Sequence, residues 1–334
     1  MSQLPTTDAP DVQARRPQAT VSLTRVGVTG VEKVLRIRSN GDEQLFYAQL
    51  ECFVDLPPDQ KGAHMSRFEE VVNEAIDTVV LGEAFRAETL AAHIAERVRE
   101  RQGGLRAEAR IAARYPISRP APASGVPTQE IYTMFGVAIA SERGTRRLVG
   151  VQAQGMTACP CAQELVRDRA ERRLREAGVD AAVVAEVLRE VPVATHNQRG
   201  IGTLYIGAVE ACREGIEATD LLEIVESSMS AEIYELMKRS DEALVVERAH
   251  RTPRFVEDCV REMVRQAVAR YEPLGPEAFV YARQENLETI HRHNVVAERS
   301  GLLGELASEL AGEQHVLHHV TMREWLEGRE ASAT

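Results

Sequence analysis

QLFYAQLECFVDL, residues 44–56, alternates at period two, with Phe46, Ala48, Leu50 and Cys52 on one side and Leu45, Tyr47, Gln49 and Glu51 on the other. That is the pattern of a strand with one buried face. Val31–Arg38 upstream reads the same way, and Asn40-Gly41-Asp42 between the two runs predicts a hairpin turn. Downstream, KGAHMSRFEE places Ser66 and Glu69 at capping-box spacing ahead of Phe68, Val71, Val72, Ala75, Ile76 and Val79 at helical period. A second helix is expected from about Glu88 to Gln102, stopped by Gly103-Gly104, and residues 105–115 alternate again as a strand.

Pro116, Pro120, Pro122 and Pro127 mark a connector, after which the plan repeats. Strand-like runs cover Ile131–Ala140, Arg147–Gln154 and 201–210. Helices are expected near 219–238 and 253–270, and strands near 277–286 and 294–299. The helix at 253 would take Thr252 as N-cap and Pro253 as its first residue. The expected organisation is an arm over 1–20, a first module over 21–118 and a second over 128–301. The second module carries a helical insertion at 162–190, broken by Gly178, and a helical tail follows over 302–334. Strands, a helix pair and more strands, twice over, predict an α+β protein with antiparallel sheets and helices on one face. The open sheet edges favour pairing between subunits.

The chain has 334 residues, enough for two packed units. A net charge of −11 argues against nucleic acid as a partner, since a phosphate backbone calls for a basic surface. No run of about 18 uninterrupted apolar residues is present to span a bilayer. The start, MSQLPTTDAPDVQARRPQ, lacks the apolar core of a secretion signal. Cys52, Cys159, Cys161, Cys212 and Cys259 have no disulfide-scaffold spacing. A cytoplasmic protein with reduced thiols, apart from membranes, is expected.

The second half holds a set of metal-type ligands: Cys159-Pro160-Cys161, His196-Asn197-Gln198-Arg199, and Glu288 with His291. Thiolate, imidazole and carboxylate together suit borderline divalent metals, and their scatter points to a site assembled by the fold rather than a structural zinc knot. Each element has a plainer reading. Cys159-Pro160-Cys161 could be a turn with buried thiols, and the His196 run a solvated loop. Glu288 and His291 share a face only on a helical turn; on an extended segment His291 would share one with His293. His315, His318 and His319 read as helix-face residues. Lys61, His64 and Arg67 gather at a helix start, where cations and free N–H groups suit an anion.

KGAHMSRF, CPCAQE, THNQRG, DEALVVE, RFVEDCVR and ENLETIHRHN, in this order, resemble the type IB GTP cyclohydrolases over roughly residues 10–302. The resemblance implies the tunnelling fold, with two modules of antiparallel sheet and helix pair, assembled as a homotetramer. It implies GTP as substrate, opened at C8 with release of formate to give a 7,8-dihydroneopterin phosphate. Cys159 matches the family's essential cysteine. Glu164, His196, Glu242, Glu288 and His291 match other active-site positions, and Cys159, His196, Glu242 and His291 match the contacts to a divalent metal (Fe²⁺, Mn²⁺ or Zn²⁺). Glu257 matches the glutamate that anchors the purine edge, whose two donors suit a carboxylate. Lys61, His64, Arg67 and Arg199 match substrate contacts, the first three facing the triphosphate. The long Cys161–His196 segment is more like the archaeal branch, which is iron-dependent and forms a 2′,3′-cyclic phosphate. Two other readings are a purine- or pterin-binding tunnelling-fold protein without hydrolysis, and a redox or metal carrier using Cys159 and Cys161. The second leaves Glu257 and the Lys61 cluster unused.

Overall fold

A computed structural model of the chain describes residues 11–39, 42–78, 86–209, 216–313 and 317–329. The residues form two compact units, one of Met1–Ala113 with Gly136–Arg147, the other of Arg114–Phe135 with Leu148–Thr334. Strands β3 (Arg106–Pro120), β4 (Pro127–Ser141) and β5 (Gly144–Ala158) are long, and each has residues in both units.

In the first unit, β1 (Leu23–Ser39) pairs antiparallel with β2 (Asp42–Leu56), from Ser39 opposite Asp42 to Leu23 opposite Leu56. The turn predicted at Asn40-Gly41 lies outside the described residues. The alternation in β2 is realised: Phe46, Ala48, Leu50, Cys52, Val54 and Leu56 are buried, while Leu45 and Tyr47 are exposed. A register shift between Val28 and Val31 contains Gly30 at φ 66, a left-handed conformation that glycine adopts without strain. The buried side of the pair is covered by α1 (Met65–Thr78), which packs on β1, and α2 (Ala87–Gln102), which packs on β2 and on α1; their Phe68, Val71, Val72, Leu90, Ile94 and Val98 are buried. Gly103 closes α2 at φ 68, and the Gly104 N–H returns to the Arg99 carbonyl.

Ser66 is not the N-cap of α1. The helix opens at Met65, because the Gln102 side-chain amide grips the backbone of His64 at both N–H (3.2 Å) and carbonyl (2.8 Å). The proline-rich connector is also shorter than expected. Pro116 and Pro120 lie within β3, beyond the Ala107–Ala113 stretch that pairs with β2, where no N–H is owed to that neighbour. Residues 121–126 form a turn closed by the Ala121 N–H on the Val126 carbonyl (2.9 Å).

In the second unit, β5 lies beside β6 (Asn197–Ala208), then β8 (Phe279–Leu287) and β9 (Val295–Leu302), with the short β7 (Ala231–Glu232) on β5. β6 and β8 pair antiparallel from Arg199–Leu287 to Gly207–Phe279. Helices α5 (Ala218–Ser227) and α7 (Val256–Tyr271) bury Leu221, Val225, Met263 and Ala267 against Val151, Leu204, Ile206, Val280 and Ala282 of the sheet. The insertion forms α3 (Pro160–Glu176) and α4 (Ala181–Glu190), parted by Gly178 at φ 84. The tail forms α8 (Leu303–Leu310) and α9 (Met322–Leu326). Trp325 of α9 is fully buried, stacks on Phe279 at 5.6 Å and donates its indole N–H to the Glu277 carbonyl.

Two helix expectations fail here. The helix expected over 219–238 ends at Ser227, because the Ser228 hydroxyl bonds back to the Ile224 carbonyl and the Ser230 N–H turns to the Met156 carbonyl. A separate helix, α6 (Arg239–Arg251), follows β7. Thr252 ends α6 instead of capping α7, since a residue before proline is turned away from helical geometry. Asp258 sets the start of α7 by accepting the Phe255 N–H at 3.0 Å. Antiparallel sheet with helices on one face is the α+β arrangement expected from the sequence. Among the described residues no helix is long and apolar enough to cross a membrane.

Candidate active site

The end of β5, the start of α3 and the start of β6 are stitched together by backbone. Cys159 donates its N–H to the His196 carbonyl (3.1 Å) and accepts the Thr195 hydroxyl on its own carbonyl (2.8 Å). Cys159 is also the N-cap of α3, with its sulfur accepting the Ala162 N–H at 3.5 Å. Cys161, two residues on, is exposed on the helix, whereas Cys159 is half-buried. Cys52 and Cys259 are buried, and burial pushes both thiols up to about 12, which leaves them as core residues. Cys212 lies outside the described residues.

His196 is oriented by a short chain of buried groups. Gln198, 6% exposed, donates its amide N–H to the Thr157 hydroxyl at 3.0 Å. Its carbonyl oxygen therefore faces His196 Nδ1 at 3.1 Å, and Nδ1 carries the proton. That leaves Nε2 with a free lone pair. Glu288 follows the last residue of β8, and its Oε2 lies 3.9 Å from His196 Nδ1. This oxygen is buried without a hydrogen-bond partner, a costly state that a nearby cation or proton relieves. His291 belongs to the loop after β8, not to a helical turn. Its ring meets His196 edge-on with centroids 6.4 Å apart and stacks on His293 at 5.2 Å. The Thr289 hydroxyl fastens this loop to the Asn197 carbonyl at 3.0 Å.

The structure thus gathers Cys159, His196, Glu288 and His291 at one end of β6 and β8. Glu164 is exposed on α3, beside Gln163, whose amide donates to both the Val193 and His250 carbonyls at 2.7 Å. Glu242 is exposed in the first turn of α6. Its neighbour Asp241 is buried and accepts the N–H groups of Ala123, Ser124 and Lys238 and the Ser124 hydroxyl. Burial pushes the Asp241 carboxyl up, but these bonds outweigh it and hold it well below the usual range. Among the described residues, no three His, Cys, Asp or Glu side chains converge closely enough to hold an ion. The residues nevertheless fit a divalent metal by donor chemistry: a thiolate and two imidazoles beside an unsatisfied carboxylate, with His196 Nε2 left free.

Glu257 is exposed in the first turn of α7 and lines a different cavity, of about 410 Å³, with Arg261, Glu298, Arg299 and Glu309 among apolar residues. Arg299 is paired there with Glu309 at 3.0 Å. In the first unit, His64 faces Asp11 at 3.4 Å and Arg67 donates to the Arg101 carbonyl at 3.1 Å, while Lys61 is exposed. Arg199 is exposed on β6 and lines a cavity of about 630 Å³ within the second unit. Thr157, Gln163 and Gln198 were not singled out from the sequence as positioning groups. Gln163 and Gln198 lie inside the quoted motifs, but which way their amides turn depends on partners far along the chain.

A model of the family described as "Type I GTP cyclohydrolase folE2" matches residues 9–297. The chain is 43% identical over 318 residues to GTP cyclohydrolase MptA of Methanococcoides burtonii, covering 92% of this chain and 99% of that protein. It is 41% identical over 315 residues to GTP cyclohydrolase MptA of Methanosarcina acetivorans, covering 91% and 98%. Among solved structures it is similar to a hyper-thermostable AgUricase mutant, with a TM-score of 0.50 at 7% identity, covering 91% and 96% of the two chains. That likeness concerns the fold alone, which is the tunnelling fold. The chain belongs to the type I GTP cyclohydrolase folE2 family.

Proposed function

We propose that this protein is a metal-dependent GTP cyclohydrolase of type IB. The observation that carries the reading is the family match over residues 9–297 together with Cys159, His196, Glu288 and His291 meeting at one end of the second sheet. Water adds at C8 of the guanine ring, the C8–N bonds break and C8 leaves as formate. The opened ribose then closes on the freed amine to give a 7,8-dihydroneopterin phosphate, one water being consumed overall. The triphosphate is retained, or a ribose-derived hydroxyl attacks the α-phosphorus and closes a 2′,3′-cyclic phosphate with diphosphate leaving, as in the archaeal branch.

Cys159, His196, Glu242 and His291 would hold the ion (iron, manganese or zinc), which when bound activates water near neutral pH. Gln198 keeps the proton on His196 Nδ1, so that Nε2 is the ligand atom. Glu288, buried beside His196, takes up and returns protons at the ring nitrogens, and Glu164 supplies a further carboxylate. Glu257 accepts the N1–H and amino donors of guanine, while Lys61, His64, Arg67 and Arg199 meet phosphate. In this reading the protein is a homotetramer with its active sites at subunit interfaces, where Lys61, His64 and Arg67 serve a site whose metal belongs to a neighbouring chain. The protein is cytoplasmic in this reading.

Anaerobic incubation with GTP and each of Fe²⁺, Mn²⁺ and Zn²⁺, followed by product masses, tests the proposal. One equivalent of formate and a dihydroneopterin phosphate are expected with at least one metal. GTP bound but unchanged under all three would replace the enzyme by a purine- or pterin-binding protein.

A further inference from the structure

Two helices of the second unit end on carbonyls that side chains from elsewhere satisfy. Helix α4 closes at Glu190, and Arg251 donates from Nη1 to the Arg189 carbonyl (3.3 Å) and from Nη2 to the Glu190 carbonyl (2.8 Å). Helix α6 closes at Arg251, and its His250 carbonyl accepts the Gln163 side-chain amide at 2.7 Å. The last carbonyls of a helix have no partner within it, so each such bond fixes where a helix end must sit. The same Gln163 nitrogen donates its second hydrogen to the Val193 carbonyl, also at 2.7 Å. Residues 192–196 are neither helix nor strand, and their backbone groups depend on partners of this kind.

These contacts converge on Cys159 and His196. The helical insertion leaves from Cys159, the N-cap of α3, and returns through 192–196 to deliver His196 to β6. The two passages of chain are laced at successive points. The Cys159 N–H meets the His196 carbonyl (3.1 Å), the Thr195 hydroxyl meets the Cys159 carbonyl (2.8 Å), and Gln163 meets Val193 one turn along α3. Gln163 also donates its backbone N–H to the Cys159 carbonyl at 3.3 Å, so Gln163 and Cys159 move as one turn of helix. Losing the bond to Val193 would free the chain three residues before His196, and losing the bond to His250 would free α3 from α6. A thiolate and an imidazole that share one ion gain affinity when their separation is set before the ion arrives, because the ordering is already complete.

We propose that Gln163 and Arg251 are positioning residues: they brace the helical insertion against the end of α6 and so hold Cys159 and His196 at a fixed separation, ready for a shared ion. The ion itself rests on the reading given above, so the brace is tested first in the metal-free full-length chain. Hydrogen exchange followed by NMR reads the Cys159 amide, whose bond to the His196 carbonyl is the joint the brace protects. Gln163→Met, of similar length and without a donor, should speed exchange at Cys159 by about tenfold while the paired amides of β6 and β8 exchange as before. Gln163→Lys, which keeps donors for both carbonyls, should stay near the unaltered rate. Arg251→Met should move Cys159 in the same direction by a smaller factor, through bonds made at the far end of the insertion. Arg167→Gln, exposed one turn further along α3, should change nothing. Titration with Co²⁺, followed by the thiolate-to-cobalt absorption, should show affinity about tenfold weaker in Gln163→Met and recovered in Gln163→Lys. Unchanged exchange at Cys159 in Gln163→Met or in Arg251→Met, equal loss in Gln163→Lys, faster exchange spread over β6 and β8, or Co²⁺ affinity untouched by Gln163→Met would each overturn the proposal. An unaltered chain whose Cys159 amide responds as expected but which takes up no Co²⁺ would refute the metal reading and leave the brace standing.

Discussion

Replacing Arg119 with leucine should damage the second unit through Glu226, and the damage should depend on pH. Glu226 is 7% exposed, and its carboxylate is held by Arg119 at 2.8 Å and by the Tyr132 hydroxyl at 2.8 Å. Arg119 also donates to the Ile233 carbonyl at 3.0 Å, and its guanidinium lies over the Tyr234 ring, 4.5 Å from the centroid. Burial pushes the Glu226 carboxyl above its ordinary value, against the lowering effects of Arg119 and of the hydrogen bonds. Arg119→Leu leaves a buried carboxylate without its counter-ion, a loss of about 3–5 kcal/mol. It also pushes the carboxyl further up. A folded-state pKa above the unfolded one favours the protonated folded form. Its stability is therefore complete below the unfolded carboxylate range, about 4.3, and drains away as pH rises through the folded value. Urea denaturation should show the variant much closer to the unaltered protein at pH 5 than at pH 8. Glu226→Gln in the Arg119→Leu background removes the stranded charge and keeps an acceptor for Tyr132, so it should recover at least half of the loss at pH 8. A single variant costing under about 1 kcal/mol, or a double variant no better than the single, would refute the account of a paired buried charge.

Three further outcomes concern the catalytic end. Cys159→Ala should abolish turnover and lower metal content, whereas Cys161→Ala, on the exposed side of the turn, should keep most activity; the reverse pattern would reassign the thiolate. Gln198→Leu should release His196 from its tautomer and weaken metal binding by about 10–100-fold, with the ¹⁵N shifts of His196 in the metal-free protein changing accordingly. Unchanged shifts would show that something else holds the ring. Glu257→Gln should cost about 2–5 kcal/mol in nucleotide binding while metal content holds, and loss of metal with nucleotide binding intact would make Glu257 a ligand instead.

Strand and helix identity followed from the chain alone wherever burial alternates locally. The β2 pattern needs only its own residues to declare a buried side, and Gly103 marks the end of α2 because a left-handed cap suits glycine. Local pattern failed where a distant group decided. Gln102 moves the start of α1 back to Met65, ahead of Ser66, the Ser228–Ser230 turn divides one expected helix into α5 and α6, and the long strands β3 to β5 serve both units. The candidate site divides in the same way. The order of motifs pointed to Cys159, His196, Glu288 and His291, since thiolate, imidazole and carboxylate announce their chemistry by residue type. Which nitrogen of His196 is free depends on Thr157 and Gln198 meeting from neighbouring strands, and the burial of Glu288 beside His196 depends on the pairing of β6 with β8. Arg114 gave no signal in the sequence, because an arginine in a strand looks like any solvated charge. Only the pairing of four strands puts it on one face with Arg199, and only the folded chain shows that neither has a hydrogen-bond or ion-pair partner among the described residues.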